Sequence, residues 1–411
     1  MNSRLLIIHP EGNIKNNPNL FYFTKELVNK GYAVTLFSRL RPGIYQGELF
    51  EGAEFVYFTS DRSQNLKVKK ALLKQNFCHI IGIDDGIIEA AKLATVLNIP
   101  YSFLSYEIFF DHELIRLNNP TDLKHKRKAI KACRRIQFAI VQDRVRKQIL
   151  SKEYDIDQDK ILLMPVAGTG IRKLDKTDYF HKRLQIPADK KILLYMGWMD
   201  TILLGRIVDY VAFIPENWVL VVHSRYKYDG TIPVDFPSEK IYFSLDSPVE
   251  SIDDMGILLS GCDAGFCSYQ ASYNSPFTGD NITYIGLSSG KTTTFLQYGI
   301  PVVVENMNLW DEIVEKEQIG IVLVQQSDLN KLDALLNESM KKKCFDYFEQ
   351  QLDLKNYFYP ILEQFESKRK VNSKTNVINY FLFLIDQRYF ILKNRVKKLL
   401  KSLIVNHYSL T

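Results

Sequence analysis

The chain has 411 residues, which is enough for two or three domains with sizeable cores. Apolar residues make up 46% and charged residues 24% of the sequence, a balance typical of a soluble globular protein. The net charge of +6 is a property of the tail, because residues 368–411 contain ten Lys or Arg and one acid, Asp386. The five cysteines are odd in number and scattered, so they imply neither a disulfide framework nor a cysteine-ligated zinc site. The N-terminus lacks a signal segment, so we expect a cytoplasmic protein.

Six short apolar runs between Arg4 and Asp143 have the length and the β-branched or aromatic content of buried strands. Helical patterns lie between several of them, in residues 19–31 and 85–100. Because strands and helices alternate, the sequence predicts a parallel, doubly wound α/β sheet. The six runs are RLLIIHP, AVTLFSR, AEFVYF, CHIIGID, IPYSFLSY and QFAIVQD.

A polar stretch then interrupts the alternation, and a second series of strands and helices begins at KILLYMGW. The sequence therefore predicts two tandem Rossmann-like domains, over residues 1–170 and 191–344, joined by a linker over 171–190. Ligands of such sheets bind beyond the carboxyl ends of the strands, so the expected site is the cleft between the domains. The further strand runs are WVLVVHS, KIYFSL, AGFCSY, PVVVEN and IGIVLV.

The chain ends in two further segments, an aromatic-rich helical stretch over 345–368 and a basic tail over 369–411. In the tail, apolar residues fall on one helical face and lysines on the others, which is typical of an amphipathic helix on an anionic membrane surface. Such a helix would equally suit an acidic partner or the protein itself. A nucleic-acid partner is not expected, because no known binding module is visible. The apolar residues are Leu392, Val396, Leu399, Leu400, Leu403 and Ile404.

The stretch GLSSGKTTTF resembles a phosphate-binding loop, but Gly286 precedes Gly290-Lys291-Thr292 by three residues instead of four. A polar stretch, not a buried strand, precedes it. What remains is a helix that Ser288, Ser289 and Thr292 can cap, whose free N–H groups would attract an anion with help from Lys291. From the residues alone, an ordinary capped helix without a ligand is the slightly favoured alternative.

A longer spacing pattern surrounds this helix. It consists of Asp263, a polar loop over 268–283, Ser289-Gly290-Lys291, Phe295, Gly299 and Pro301-Val302-Val303. The pattern resembles the donor-binding half of GT-B glycosyltransferases of the retaining type and of related enzymes that build bacterial surface polysaccharides. The resemblance covers about residues 1–367 and leaves the tail unaccounted for.

The resemblance implies that the helix starting near Ser289 holds the diphosphate of a nucleotide-sugar, with Lys291 near the phosphates and Gly197 close to the sugar-phosphate. Gly290, Thr292 and Thr294 belong to the same predicted donor site. There are two departures from the family pattern. Two family glutamates, of which the second contacts the donor ribose, are replaced by Gly286 and Thr294, and a basic residue is replaced by Leu203 or Leu204, with Arg206 following.

Candidate catalytic residues come from predicted strand ends in the first domain. The segment LSYEIFFDHE resembles the one that presents an acidic residue to the cleft, here Glu107. His9, Glu11 and Asp84 are the further candidates. If the reaction inverts the sugar, one of these groups takes the acceptor proton, and Glu107 ranks first; if it retains configuration, they position the substrates. No Asp-x-Asp motif is evident in the donor half, so we expect neither a metal nor another cofactor.

The sequence thus predicts a glycosyltransferase that moves a sugar from a nucleotide-sugar to a lipid-linked or polysaccharide acceptor at the cytoplasmic membrane face, with the tail on the anionic surface. A glycosyltransferase-like subunit without catalysis, which binds a partner enzyme through the basic helix, is the second hypothesis, and the missing ribose carboxylate is its support. A P-loop phosphotransferase is the third.

Overall fold

The structure is a computed structural model. It describes residues 3–11, 17–39, 52–59, 61–197, 209–224, 239–245, 255–305 and 307–367. The predicted tail helix and the positions Leu203, Leu204 and Arg206 lie outside these residues.

Two parallel sheets form the two halves of the chain. The first has seven strands in the order β3-β2-β1-β4-β5-β6-β7, and the second has six in the order β10-β9-β8-β11-β12-β13. In each sheet the strand order reverses next to the first strand, so that β1 pairs with both β2 and β4, and β8 with both β9 and β11. The predicted α/β architecture of two doubly wound domains is confirmed.

The strands of the first sheet are β1 (Arg4–His9), β2 (Ala33–Arg39), β3 (Ala53–Phe58), β4 (Phe77–Ile83), β5 (Tyr101–Leu104), β6 (Ala139–Val141) and β7 (Ile161–Leu163). Those of the second are β8 (Lys191–Gly197), β9 (Trp218–Ser224), β10 (Ile241–Ser244), β11 (Ala264–Ser268), β12 (Val302–Glu305) and β13 (Gly320–Val322).

The helices of the first half are α1 (Pro18–Asn29), α2 (Arg62–Leu72), α3 (Gly86–Leu97), α4 (Asp111–Arg116), α5 (Pro120–Cys133) and α6 (Arg144–Tyr154). Those that follow are α7 (Tyr179–Leu184), α8 (Met255–Leu259), α9 (Asp280–Thr283), α10 (Gly290–Gln297), α11 (Leu309–Glu317), α12 (Glu338–Tyr347) and α13 (Lys355–Ser367). Short 3₁₀ segments span Gln158–Lys160, Gly286–Ser288 and Gln326–Leu335, and a π-helical turn spans Phe348–Leu352.

Each sheet is buried on both faces, which explains why its strands are continuous apolar runs. Neighbouring residues of β1 enter different cores, Leu6 on one face of the sheet and Leu5 on the other. In β8, Leu194 and Leu193 divide between the two cores of the second sheet in the same way. The period of two thus places adjacent apolar side chains on opposite faces.

Two segments differ from the expected organisation. The predicted linker over 171–190 contains helix α7, whose Phe180 is fully buried in the core of the second domain. The predicted helix over 345–368 is divided by the π-helical turn into the end of α12 and helix α13. Helix α13 packs on the first domain, where Phe358 and Phe365 enter the core that lies against α1.

Candidate functional site

Helix α10 begins at Gly290, with Ser289 as its N-cap residue. The backbone before it is the 3₁₀ segment Gly286–Ser288, which follows helix α9 instead of a strand. A phosphate-binding loop of a nucleoside triphosphatase would follow a strand. The segment is therefore an ordinary helix N-terminus, whose first N–H groups and dipole attract an anion.

Lys291 is the second residue of α10 and is half-buried. Its Nζ lies 4.3 Å from the ring centroid of Tyr195 and 4.2 Å from that of Tyr269, both within the range of a cation–π interaction. Burial lowers the pKa of Lys291 to about 8, and the thiol of Cys267 acts in the opposite direction. At pH 7 the ammonium form still predominates, so a positive charge stands at the start of the helix.

Gly197 ends strand β8 beside this lysine. A Cβ added to Gly197 would lie 3.7 Å from Lys291 Nζ. The backbone φ of Gly197 is +146°, a value that residues other than glycine rarely adopt. The structure therefore brings together two residues predicted for the donor site from parts of the sequence far apart. The place is the carboxyl end of the strand at the reversal of strand order, where such sheets bind their ligands.

The hydroxyl groups at the start of α10 form hydrogen bonds within the protein. Ser289 Oγ lies 2.7 Å from Thr292 Oγ1 and 3.0 Å from the hydroxyl oxygen of Tyr269, and both Ser289 and Thr292 are fully buried. Thr294 Oγ1 donates a hydrogen bond of 2.6 Å to the carbonyl of Gly290. The predicted capping by the Ser289 side chain is therefore wrong. Ser289 occupies the N-cap position, but its side chain accepts no hydrogen bond from the backbone of α10.

Asp84 follows strand β4 in a left-handed conformation, with φ of +45°. Its Oδ1 accepts hydrogen bonds from the backbone N–H groups of Tyr106 at 2.8 Å and Glu107 at 3.0 Å. Burial raises the pKa of Asp84 well above its ordinary value, and the charges of Glu11 and Glu107 raise it further. These bonds favour a structural task for Asp84, which fixes the backbone that carries Glu107.

Glu107 is half-buried where the two domains meet. Its Oε2 accepts a hydrogen bond from Nδ2 of Asn281, which belongs to helix α9 of the second domain. Burial raises the pKa of Glu107 to about 7, with Arg146 opposing this shift and Glu11 adding to it. A carboxyl group that titrates near pH 7 is suited to general acid–base chemistry.

The two remaining candidates lie at the same edge of the first sheet. His9 is the last residue of β1 and is buried, and Glu11 follows two residues later. Because Glu11 raises the pKa of both Asp84 and Glu107, the three carboxyl groups form one electrostatic cluster at the ends of β1, β4 and β5.

The buried Arg146 is a part of the interface that the sequence did not indicate. Its guanidinium group donates to Gln142 Oε1 at 2.8 Å, to the carbonyl of Tyr106 at 2.6 Å and to the carbonyl of Tyr284 in the second domain at 3.1 Å. The charge therefore lies beside Glu107 and links the two domains.

Gly286, at one of the two positions that carry glutamate in the resembling family, faces a carboxylate of the other domain. Asp143 Oδ2 accepts a hydrogen bond of 3.0 Å from the N–H of Leu287, and a Cβ on Gly286 would lie 2.3 Å from this oxygen. The φ of Gly286 is +42°. A side chain is thus excluded at this position, because Asp143 occupies the space.

We expect Gly286→Ala to destabilise the protein more than Gly170→Ala does. Both glycines have positive φ, but a Cβ on Gly170 would meet nothing within 4 Å. The Gly170 variant measures the backbone cost alone, about 1–2 kcal/mol, and the contact with Asp143 adds about 1–3 kcal/mol. Thermal denaturation of the two variants checks this, and equal losses in melting temperature would contradict it.

No family model and no curated protein matches the sequence. Solved structures do match. HepE of Anabaena, solved with UDP and glucose, is 13% identical over 89% of this chain and 100% of its own, with a TM-score of 0.62. Sucrose-phosphate synthase of Thermosynechococcus elongatus is 12% identical over 89% and 98%, with a TM-score of 0.59. WaaG, a glycosyltransferase of lipopolysaccharide biosynthesis, is 12% identical over 87% and 98%, with a TM-score of 0.57.

These matches and the two sheets define the fold. The chain has the GT-B fold, as the resemblance in its sequence implied. Among the described residues, no helix has both the length and the apolar content that crossing a membrane requires.

Proposed function

We propose that this protein is a glycosyltransferase that uses a nucleotide-sugar donor and needs no metal at the donor diphosphate. The observation that carries the proposal is the juxtaposition of Lys291, the N-terminus of α10 and Gly197 at the end of β8. A departing diphosphate requires preorganised positive charge, which an ammonium group and a helix N-terminus supply together. Glycine at position 197 leaves room for the sugar-phosphate to approach the backbone.

Glu107 is the proposed catalytic group on the acceptor side. Its raised pKa allows it to take a proton from an acceptor hydroxyl near neutral pH. Asn281 holds the carboxylate from the donor domain, so that the group is oriented only when the two domains are in contact. In this scheme the reaction inverts the sugar.

A nucleotide panel tests the donor site. HepE was solved with UDP and with UDP-glucose, which supports a uridine nucleotide as the first candidate. We expect UDP to raise the melting temperature, with or without EDTA, because a ligand that binds only the folded protein stabilises it. GDP, CMP and ATP serve as comparisons. Stabilisation by ATP with magnesium alone would favour a phosphotransferase, and stabilisation by none would favour a subunit without catalysis.

We propose further that the acceptor is lipid-linked or a glycan and that the protein acts at the cytoplasmic membrane surface. The support is the sequence of the tail, in which nine basic residues accompany one acid. We expect deletion of residues 369–411 to release the protein from vesicles containing phosphatidylserine without lowering its melting temperature. Vesicle sedimentation checks this, and neutral vesicles are the control. Unchanged binding after the deletion would contradict the proposed role of the tail.

A non-catalytic relative is the second candidate, and one observation favours it. The two family glutamates are absent, and Thr294, at the position that would contact the ribose, donates its hydroxyl to its own helix. A hydroxyl cannot replace a carboxylate that binds two ribose hydroxyls. Release of free sugar from the donor by the purified protein, lost in Lys291→Ala, would exclude this candidate.

A further inference from the structure

A cluster of three metal-ligating side chains joins the two domains outside the donor site. His112 and Glu113 lie on helix α4 of the first domain, and Asp280 is the first residue of helix α9 in the second. One ligand atom from each residue lies within 4.8 Å of the others. The sequence did not indicate this cluster, because 167 residues separate Glu113 from Asp280.

Glu113 is held in place by the opposite domain. The residue is 1% exposed, and its Oε1 accepts a hydrogen bond of 2.6 Å from the backbone N–H of Asp280. Glycine is required at position 279, because a Cβ there would lie 1.8 Å from Glu113 Oε1. The second oxygen, Oε2, is buried and has no hydrogen-bond partner among the described residues.

A buried carboxylate oxygen without a partner is costly, because it has lost its water and gained nothing in return. This oxygen is the observation that points to a ligand. Either a proton or a cation would satisfy this oxygen. The neighbouring His112 and Asp280 favour a cation, because they add two metal-ligating side chains. Nε2 of His112 lies 3.1 Å from Oδ2 of Asp280, and one ligand atom of Glu113 lies within 4.8 Å of a ligand atom of each.

We propose that His112, Glu113 and Asp280 bind a divalent transition-metal ion that bridges the two domains. One imidazole nitrogen and two carboxylate oxygens form a mixed donor set that suits zinc and related ions, whereas magnesium and calcium prefer oxygen alone. Zinc binds such atoms at about 2.0–2.2 Å, so two ligands of one ion are at most about 4.4 Å apart. The side chain of His112 is 63% exposed and is free to make the small movement that closes the set.

The site would act on the contact that orients Glu107. Asn281, which donates to Glu107 Oε2, follows Asp280 directly in the chain. Its Oδ1 accepts from the N–H of Ile108 at 3.0 Å, so the start of α9 is already attached to the first domain. A metal on Asp280 would fix α9 on α4 and thereby stabilise the joined arrangement of the domains. The ion has no part in binding the donor diphosphate, which lies at Lys291.

Metal titration of the full chain, freed of metal by a chelator, tests the proposal. The probes are ZnCl₂, MnCl₂ and MgCl₂ in separate titrations followed by calorimetry, with the melting temperature measured at saturation. The variants are His112→Ala, which removes an exposed ligand, and Asp280→Asn, which keeps the backbone N–H that Glu113 requires. His125→Ala is the matched control, because His125 Nδ1 lies 3.1 Å from Asp85 Oδ1 in a pair that forms no three-ligand group with the other residues that the structure describes.

We expect one equivalent of Zn²⁺ to bind the unaltered protein and to raise its melting temperature. In His112→Ala and in Asp280→Asn, the dissociation constant should rise at least about tenfold, while His125→Ala should match the unaltered protein. Three results would overturn the proposal: less than one equivalent of Zn²⁺ bound, unchanged affinity in His112→Ala, or Mg²⁺ binding as tightly as Zn²⁺. None of these readouts involves a nucleotide-sugar, so the outcome is independent of the proposed transferase activity.

Discussion

Lys291→Ala should lower donor turnover about 10²–10³-fold, the usual cost of removing one preorganised group that stabilises developing negative charge. The lysine is the second residue of α10 and lies beside Gly197, so its ammonium group adds to the helix N-terminus at the proposed diphosphate position. Alanine leaves the helix N–H groups in place but removes the charge. The measurement is release of nucleoside diphosphate from the donor identified by the thermal-shift panel.

Two further variants separate charge from packing. Lys291→Met keeps an apolar side chain of similar length between the rings of Tyr195 and Tyr269, and we expect it to lose as much turnover as alanine does. Lys316→Ala is the control for a lysine of the same domain, since Lys316 is exposed and its ion pair among the described residues is with the adjacent Glu317. If turnover in Lys291→Met is close to that of the unaltered protein, Lys291 contributes through its packing and not through its charge.

The melting temperature should not fall in Lys291→Met. Folding lowers the pKa of Lys291 because burial disfavours the charged form. Between about pH 8 and the ordinary lysine value, the unfolded chain therefore binds more protons than the folded one, so the unaltered protein gains stability as the pH rises through this range. Methionine removes the buried charge, and with it this part of the pH dependence.

The sequence predicted both sheets because apolar runs of strand length alternate with helical patterns throughout the chain. This signal is strong where a strand is buried on both faces, as in β1 and β8. It failed at α7, whose six residues are too few for a helical period to show. Helix α7 is held by Phe180 in the core of the second domain, a tertiary contact that outweighs the polar composition around it.

The residues of the proposed donor site could be selected from the sequence because they stand at fixed spacings along one segment and at the end of one strand. The contacts between the two domains could not be predicted from the sequence. Asn281 contacts Glu107 across 174 residues, and Arg146 contacts Tyr284 across 138, so no local pattern links the partners. Tyr195 lies in β8 and Tyr269 directly follows β11, where aromatic residues typically belong to the core. Nothing in the neighbouring sequence indicates that both rings face Lys291.

Gly286 shows how a departure from a family pattern can have a structural cause. Taken from the sequence alone, the absence of the family glutamates leaves open weaker or different donor binding, or an inactive relative. In the structure the position has a positive φ and faces Asp143, which accepts the N–H of Leu287. The carboxylate near this backbone thus comes from the first domain. The loss of glutamate at 286 therefore follows from the domain contact and is no argument by itself against catalysis.

The pH dependence of transfer should follow the ionisation of Glu107. Burial and Glu11 favour the neutral form of this carboxyl, whereas Arg146 and Asn281 favour its charged form. The result is a pKa of about 7. A general base acts only when deprotonated, so kcat/KM should fall about tenfold for each pH unit below pH 7. Above this pH the rate should be constant with respect to this group.

Glu107→Gln should lower the transfer rate about 10²–10⁴-fold and abolish the decline below pH 7 in the activity that remains, while UDP binding is preserved. Glutamine keeps the shape of the side chain and a hydrogen bond to Asn281 but cannot accept the acceptor proton. Glu54→Gln is the matched control, an exposed carboxylate of β3 in the same domain. A pH profile of the Gln variant that still falls below pH 7, or a rate close to that of the unaltered protein, would assign Glu107 to positioning and favour a retaining reaction.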